Sequence, residues 1–189
     1  MDYKEIYTKS NFISFFRLLL AIPLWFLLDG FDSPDIRYIT FAVCLVASFS
    51  DILDGYLARK YNEVTEFGKI IDPLADKIAV GVLIIKLYLI GEISTYYFLM
   101  IILRDIIIFL GGIFVAKRIG RVLPSNVLGK ITVIVIGIVI LLIILKLDRS
   151  SLAYRAFYGS SIVLIFASLI GYVIRAREFL KRKNYESIL

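Results

Sequence analysis

The chain contains no histidine and a single cysteine, Cys44, in 189 residues. Without histidine, acid–base work and metal ligation fall to carboxylates, hydroxyls and amines. One thiol cannot close an internal disulfide, and no Cys-x-x-Cys pair offers a thiolate metal site, so redox and zinc-thiolate chemistry are excluded. Charged residues are also sparse, at 20%, whereas hydrophobic residues reach 60%, against about 45–50% in an ordinary soluble domain. That balance argues against a water-soluble globular protein. The net charge of +6 would suggest nucleic acid in a soluble chain; here the bases are better explained by membrane orientation, and no nucleic-acid partner is expected.

At about 20 residues per bilayer-spanning helix, six spans use about 120 residues and leave only short connections. Apolar segments at 12–28, 37–57, 70–90, 95–116, 127–146 and 154–174 predict an all-α polytopic membrane protein of six transmembrane helices. Residues 1–189 read as one membrane domain, with a short N-terminal segment at 1–11 and a basic tail at 175–189. The opening MDYKEIYTKS is too polar to begin a signal peptide, and no small-residue cleavage site follows the first apolar run, so the first helix is expected to be retained.

Charge sets the orientation. The connection Asp29 to Asp35 carries three acids and no base, while Ala116 to Lys130 carries four bases and no acid. Alternating the connections gives fourteen Lys and Arg on one side against four on the other, which places both termini in the cytoplasm of a bacterial-type inner or plasma membrane. The basic tail fits an orientation signal resting on anionic headgroups, with membrane lipids as its partners. Four bases, Arg17, Lys77, Lys86 and Arg104, fall inside the apolar segments.

Ionisable groups in spanning helices are costly and face a protein or water-filled interior when they persist. Asp51 and Asp54 lie three apart near the end of the second span; Asp72 and Asp76 lie four apart at the start of the third. Those spacings put each pair on one face of its helix. The short segment KYNEVTEFGK between them makes the two helices antiparallel neighbours, so the four carboxylates converge on a polar cavity open to the cytoplasm. Four such groups repel one another unless a cation neutralises them, and oxygen-only ligands select a hard ion, Mg²⁺ or Mn²⁺. Alternatively, each Asp caps a helix or pairs with Arg59 or Lys77. Gly55 and Ala58 permit close approach of a ligand or of another helix, and Arg59 offers a planar fork to phosphate oxygens or an anchor at the helix end. Pro73 either interrupts the third helix's hydrogen-bond ladder or sits harmlessly in its first turn.

Written out, DILDGYLARKYNEVTEFGKIIDPLAD matches D-x2-D-G-x2-A-R-x8-G-x3-D-x3-D, with Asp51, Asp54, Gly55, Ala58, Arg59, Gly68, Asp72 and Asp76 at the fixed positions. At residue frequencies of about 5–7%, eight matches arise by chance at roughly 10⁻¹⁰ per starting position. This pattern resembles the signature of the CDP-alcohol phosphatidyltransferase family. The resemblance implies a six-helix membrane domain in which Asp51, Asp54 and Asp72 hold one or two divalent cations against the pyrophosphate of a CDP-linked lipid. Asp76 would take the proton from the acceptor hydroxyl and also touch metal. Asp51, Asp54, Gly55, Ala58, Arg59 and Gly68 would bind the CDP moiety, and CMP would leave. A homodimer is a further expectation from the resemblance.

Acceptor choice must lie outside the signature. Arg104, Arg118 and Lys130 are candidate ligands for the phosphate of an anionic acceptor, although Arg104 could instead pair with Asp105 or with another helix's acid. NFISFFR (Asn11 to Arg17) and SNVLGKIT (Ser125 to Thr132) resemble segments of the bacterial glycerol-phosphate members of that family, which points to sn-glycerol 3-phosphate as acceptor and CDP-diacylglycerol as donor. Alternatives are inositol phosphate, serine or phosphatidylglycerol as acceptor. In a different class, a cation or proton-coupled transporter would also carry buried acids, but nearer the bilayer midplane and commonly with internal repeats. A lipid-organising scaffold without catalysis leaves the Asp spacing unexplained.

Overall fold

A computed structural model describes residues 9–60, 68–119 and 126–186, with the side chains of 9–14, 51–52, 54–60, 68–76, 119 and 182–186 outside that description. Among the described residues the regular structure is entirely helical: α1 (Lys9–Leu27), a 3-10 turn (Leu28–Gly30), α2 (Pro34–Lys60), α3 (Gly68–Leu89), α4 (Thr95–Ile119), α5 (Val127–Ile144) and α6 (Leu152–Glu186). The chain divides into two compact units, Met1–Ile93 and Ser94–Leu189.

The helix ends follow local chemistry. Pro34 opens α2, where its fixed φ is already helical and its missing N–H costs nothing, and Asp35 complements the helix dipole in the same turn. The Asn126 side chain caps α5 by accepting a hydrogen bond from the Leu128 N–H at 3.2 Å. Gly91, at φ 80°, closes α3, with the Glu92 N–H bonded to the Leu87 carbonyl and the Gly91 N–H to that of Tyr88. The end of α5 uses the same pattern, Leu147 to Leu142 and Lys146 to Ile143. There the left-handed position is held by a lysine, Lys146 at φ 49°.

Among the described residues, three helices are long and apolar enough to cross a membrane: Thr95–Arg118 in α4, Val127–Ile144 in α5 and Leu152–Lys181 in α6. They carry large exposed apolar side chains, among them Leu103, Ile106, Phe109, Phe114, Ile134 and Phe166, as lipid-facing surfaces do. The expected helix positions recur with shifted bounds. The clearest difference is α6, which continues from the apolar stretch through the segment expected as a separate basic tail and ends at Glu186. RAREFLKRKNYE contains strong helix formers and neither Gly nor Pro, so nothing in it stops the helix.

In the first unit α1 packs along both α2 and α3. The carboxylate of Asp29, just past α1, takes an ion pair from Lys86 near the end of α3. The same ammonium lies 4.7 Å over the Trp25 ring. The Ile36 side chain of early α2 lies against Gly30. The end of α1, the start of α2 and the end of α3 therefore share one end of the unit, and the start of α1, the end of α2 and the start of α3 share the other. Lys86, one of the four bases inside the apolar stretches, is buried and accounted for by Asp29 and Trp25.

In the second unit α6 packs against both α4 and α5. Since lipid tails are as apolar as leucine, such contacts depend on close packing and interhelical hydrogen bonds worth roughly 0.5–2 kcal/mol each. The Tyr97 hydroxyl of α4, fully buried, lies 2.8 Å from the Ser161 hydroxyl of α6. The Thr132 hydroxyl of α5 donates to the Leu128 carbonyl in its own helix and lies 3.2 Å from that of Leu164 in α6. Gly171 lets α5 approach α6 closely, since a Cβ there would come 2.9 Å from Asn126 Nδ2.

Two expectations follow from the turn after α5. Replacing Lys146 with glycine removes the Cβ penalty of the left-handed conformation, about 1–2 kcal/mol, offset by roughly 0.5–1 kcal/mol of lost chain entropy. The thermal midpoint of Lys146→Gly in detergent should rise accordingly, and a fall would show that the lysine is preferred there. Beside it, the exposed Asp148 accepts bonds from the Ser150 hydroxyl at 2.5 Å and the Ser150 N–H at 2.9 Å, which hold its carboxyl below the usual carboxylate range. A depressed folded-state pKa means that these bonds stabilise the turn above about pH 4 and are lost as pH falls through the folded value. The difference in midpoint between wild type and Asp148→Ala should accordingly shrink on acidification, whereas a constant difference would dissociate it from ionisation.

Candidate active site

Among the described side chains of the first unit, the buried positions include Arg17, Ala21 and Leu24 on α1, Leu28 in the 3-10 turn, Thr40 and Cys44 on α2, and Ala79, Leu83, Ile84, Lys86 and Leu87 on α3. Steps of three and four among them trace the face that each helix turns to its neighbours. The first of these on α1, Arg17, is only 3% exposed.

The side chains of the signature residues, Asp51, Asp54, Gly55, Ala58, Arg59, Gly68, Asp72 and Asp76, lie outside the described residues. Their backbone does not: Asp51 to Arg59 occupy the last three turns of α2, Gly68 is the first residue of α3, and Asp72 and Asp76 fall in its second and third turns. At 1.5 Å per residue the two α2 aspartates stand about 9–14 Å from the helix end, and the two α3 aspartates about 6–12 Å from theirs. Both pairs therefore lie at matching depth below the same end of the unit. Carboxylates alone, on two helices near the same end of the unit, are a donor set whose chemistry fits a hard divalent cation. Pro73 is the sixth residue of α3, beyond the first turn. It cannot donate to the Lys69 carbonyl, so it interrupts the ladder between the two aspartates' turns. Lys77, next to Asp76, is exposed, as expected of a base directed to headgroups.

In the second unit Arg104 is buried and spans three helices. Its Nη1 bonds Asp105 Oδ1 at 2.5 Å, its Nε reaches the Ser168 hydroxyl of α6 at 3.3 Å, and its Nη2 reaches the Gly129 carbonyl of α5 at 3.3 Å. Of the two structural pairings open to it, the structure selects Asp105. Lys130, exposed in the first turn of α5, adjoins the carbonyl that Arg104 grips, so these two expected acceptor ligands come to one level. Arg118 lies fourteen residues further along α4, about 21 Å away along the axis.

Sequence reasoning missed the partners of these groups. Tyr97 and Arg104 are seven apart on α4, and Ser161 and Ser168 are seven apart on α6; the structure joins them rung by rung. The matched heptad spacing of polar residues within two apolar helices was the available signal. The Tyr172 hydroxyl, one turn beyond Ser168, gave no local signal.

Comparison with known proteins identifies the family. The family model described as CDP-alcohol phosphatidyltransferase matches residues 7–173, a range covering all of the candidate site. The chain is 32% identical over 160 residues to the CDP-diacylglycerol--glycerol-3-phosphate 3-phosphatidyltransferase of Rickettsia bellii, covering 84% of this chain and 87% of the relative. It is 30% identical over 173 residues to the protein of the same name from Aquifex aeolicus, covering 87% and 93%, and 36% identical over 122 residues to that of Bacillus subtilis, covering 63% of each. With the eight-position signature on α2 and α3 and a family match over residues 7–173, this chain belongs to the CDP-alcohol phosphatidyltransferase family.

Proposed function

We propose that the chain transfers the phosphatidyl group of CDP-diacylglycerol to sn-glycerol 3-phosphate, releasing CMP and leaving phosphatidylglycerophosphate in the membrane. The observation that carries this reading is the eight-position signature, whose four aspartates, Asp51, Asp54, Asp72 and Asp76, fall in the last turns of α2 and the second and third turns of α3. The printed activity of the Rickettsia and Aquifex relatives supports the choice of acceptor.

The chemistry is a displacement at phosphorus. The acceptor hydroxyl oxygen forms a bond to the lipid-bearing phosphorus, and the bond from that phosphorus to the oxygen bridging to CMP breaks. Asp76 accepts the hydroxyl proton, a role that needs a carboxylate within hydrogen-bond reach of the attacking oxygen. Gly55, Ala58, Arg59 and Gly68 seat the nucleotide, the small residues by permitting close approach and Arg59 by its planar fork. Asp51, Asp54 and Asp72 would hold Mg²⁺ or Mn²⁺, which when bound would supply charge neutralisation at the pyrophosphate. Arg104 and Lys130 supply positive charge for the acceptor phosphate, Arg104 while holding α5 and α6 in place, whereas Arg118, about 21 Å further along α4, is too distant to share it. Six spans with both termini and a polar cavity on the cytoplasmic side, and a homodimeric assembly, complete the proposal. The fourteen-to-four distribution of bases supports the orientation.

Purified protein in detergent, supplied with CDP-diacylglycerol, Mg²⁺ or Mn²⁺ and a panel of alcohols, should release CMP with glycerol 3-phosphate. Release with serine, inositol phosphate or phosphatidylglycerol in its place would overturn the acceptor and keep the reaction. Asp76→Asn should lower kcat by about 10²–10⁴-fold while CDP-diacylglycerol binding stays within a few-fold; retention of wild-type turnover removes Asp76 as the base. Chelation with EDTA should abolish CMP release and readdition of Mg²⁺ or Mn²⁺ restore it. Turnover that persists in chelator counts against the metal role of Asp51, Asp54 and Asp72.

A further inference from the structure

Among the described residues, three bases within the apolar segments are buried: Lys86 at 8% exposure, Arg104 at 6% and Arg17 at 3%. A cation taken from water into such surroundings persists only with a carboxylate or a comparable acceptor beside it. Lys86 has Asp29, and Arg104 has Asp105. Arg17, the deepest of the three, shares with Ala21 and Leu24 the buried face of α1, and α1 packs along both α2 and α3. The acids that can serve it are those of the first unit.

The far end of the unit fixes the level of Arg17. There Lys86 of α3 meets both the Trp25 ring and Asp29, and α1 and α3 run in the same direction. Arg17 comes eight residues before Trp25 and twelve before Asp29; the same steps before Lys86 end at Ile78 and Leu74, and Asp76 lies midway between them in the third turn of α3. At 1.5 Å per residue Arg17 stands about 12–18 Å from those contacts and Asp76 about 15 Å from Lys86, whereas Asp72, at about 21 Å, lies beyond that level. On α2, Ile36 lies against Gly30, and thirteen residues separate Gly30 from Arg17, which brings Arg17 to the level of Phe49. Asp51 lies about 3 Å past it and Asp54 about 8 Å. Asp29, Asp32, Asp35 and Glu92 belong to the opposite end. The aspartate level with Arg17 is therefore Asp76.

We infer that the buried guanidinium of Arg17 pairs with the carboxylate of Asp76, which makes Arg17 a positioning residue for the base. The inference rests on the role given to Asp76 above and adds to it a residue outside the signature. A guanidinium presents its donors in a fixed plane, so a carboxylate it holds is set in direction as well as in charge. An ionised carboxylate has about four acceptor sites; those not taken by Arg17 serve the acceptor hydroxyl. Arg17 itself touches no substrate and transfers no proton.

The test uses the full-length chain purified in detergent, with Arg17→Met made in wild-type, Asp76→Asn and Asp51→Asn backgrounds. In EDTA, Arg17→Met should lower the thermal midpoint by about 6–20 °C, because breaking a buried pair leaves its carboxylate uncompensated. That loss should become small in the Asp76→Asn background, where no such charge is left behind. An equal loss in both backgrounds overturns the pair, and so does greater relief by Asp51→Asn, which moves the partner to α2. Should Arg17→Met alone fail to fold, recovery of folded protein on adding Asp76→Asn supports the pair and continued failure overturns it. Arg17→Lys keeps the charge and loses the fork. It should lower kcat about 10–100-fold with the KM of both substrates within a few-fold and the midpoint within a few degrees of wild type; an unchanged kcat, or an effect confined to KM, overturns the positioning role. Thermal coupling in a wild type that releases no CMP with any alcohol supports the pair while overturning the reaction, and with it the base that Arg17 positions.

Discussion

Arg104 is the group through which all three helices of the second unit meet. Its guanidinium has five N–H donors in a fixed plane, and the structure spends them on a carboxylate in its own helix, a hydroxyl in α6 and a main-chain carbonyl in α5. In hydrocarbon surroundings an apolar side chain gives no helix a preferred neighbour, whereas an unsatisfied guanidinium is prohibitively costly. Burying one at the crossing of three helices therefore fixes their register. The rungs on either side, Tyr97 with Ser161 and Gly111 with Tyr172, take their spacing from it.

The first unit solves the same problem at its two ends in different ways. Where α1 ends, Lys86 is buried against Trp25 and paired with Asp29, a closed arrangement that leaves little chemistry to do. At the opposite end the last turns of α2 and the first turns of α3 carry four acids, Asp51, Asp54, Asp72 and Asp76. Like charges brought together repel, and a cation or a proton relieves them.

Much of this could be read directly from the chain. Apolar run lengths located the six α-helices of the described residues, and the eight-position pattern from Asp51 to Asp76 located the family. What escaped were features decided by partners distant in sequence. Whether Arg104 pairs with Asp105 or with an acid on another helix depends on where α4 sits against α6, and Ser168 is 64 residues away. The glycines at 111 and 112 look like ordinary small residues of a spanning helix until the Tyr172 ring is found lying on them. The end of α6 was misjudged for another reason: hydropathy falls at Arg175, but helix propensity does not, and it is propensity that decides where the backbone stops coiling.

The length of α6 has a consequence for the lipid around it. Its 35 residues extend about 52 Å, against about 30 Å of hydrocarbon in a typical bilayer, whereas the 18 residues of its partner α5 extend only about 27 Å. The excess lies in the basic stretch from Arg175 onward, so a hydrocarbon layer that matches α5 also takes most of the apolar part of α6, and the charged end of α6 projects from the bilayer into the headgroups and beyond.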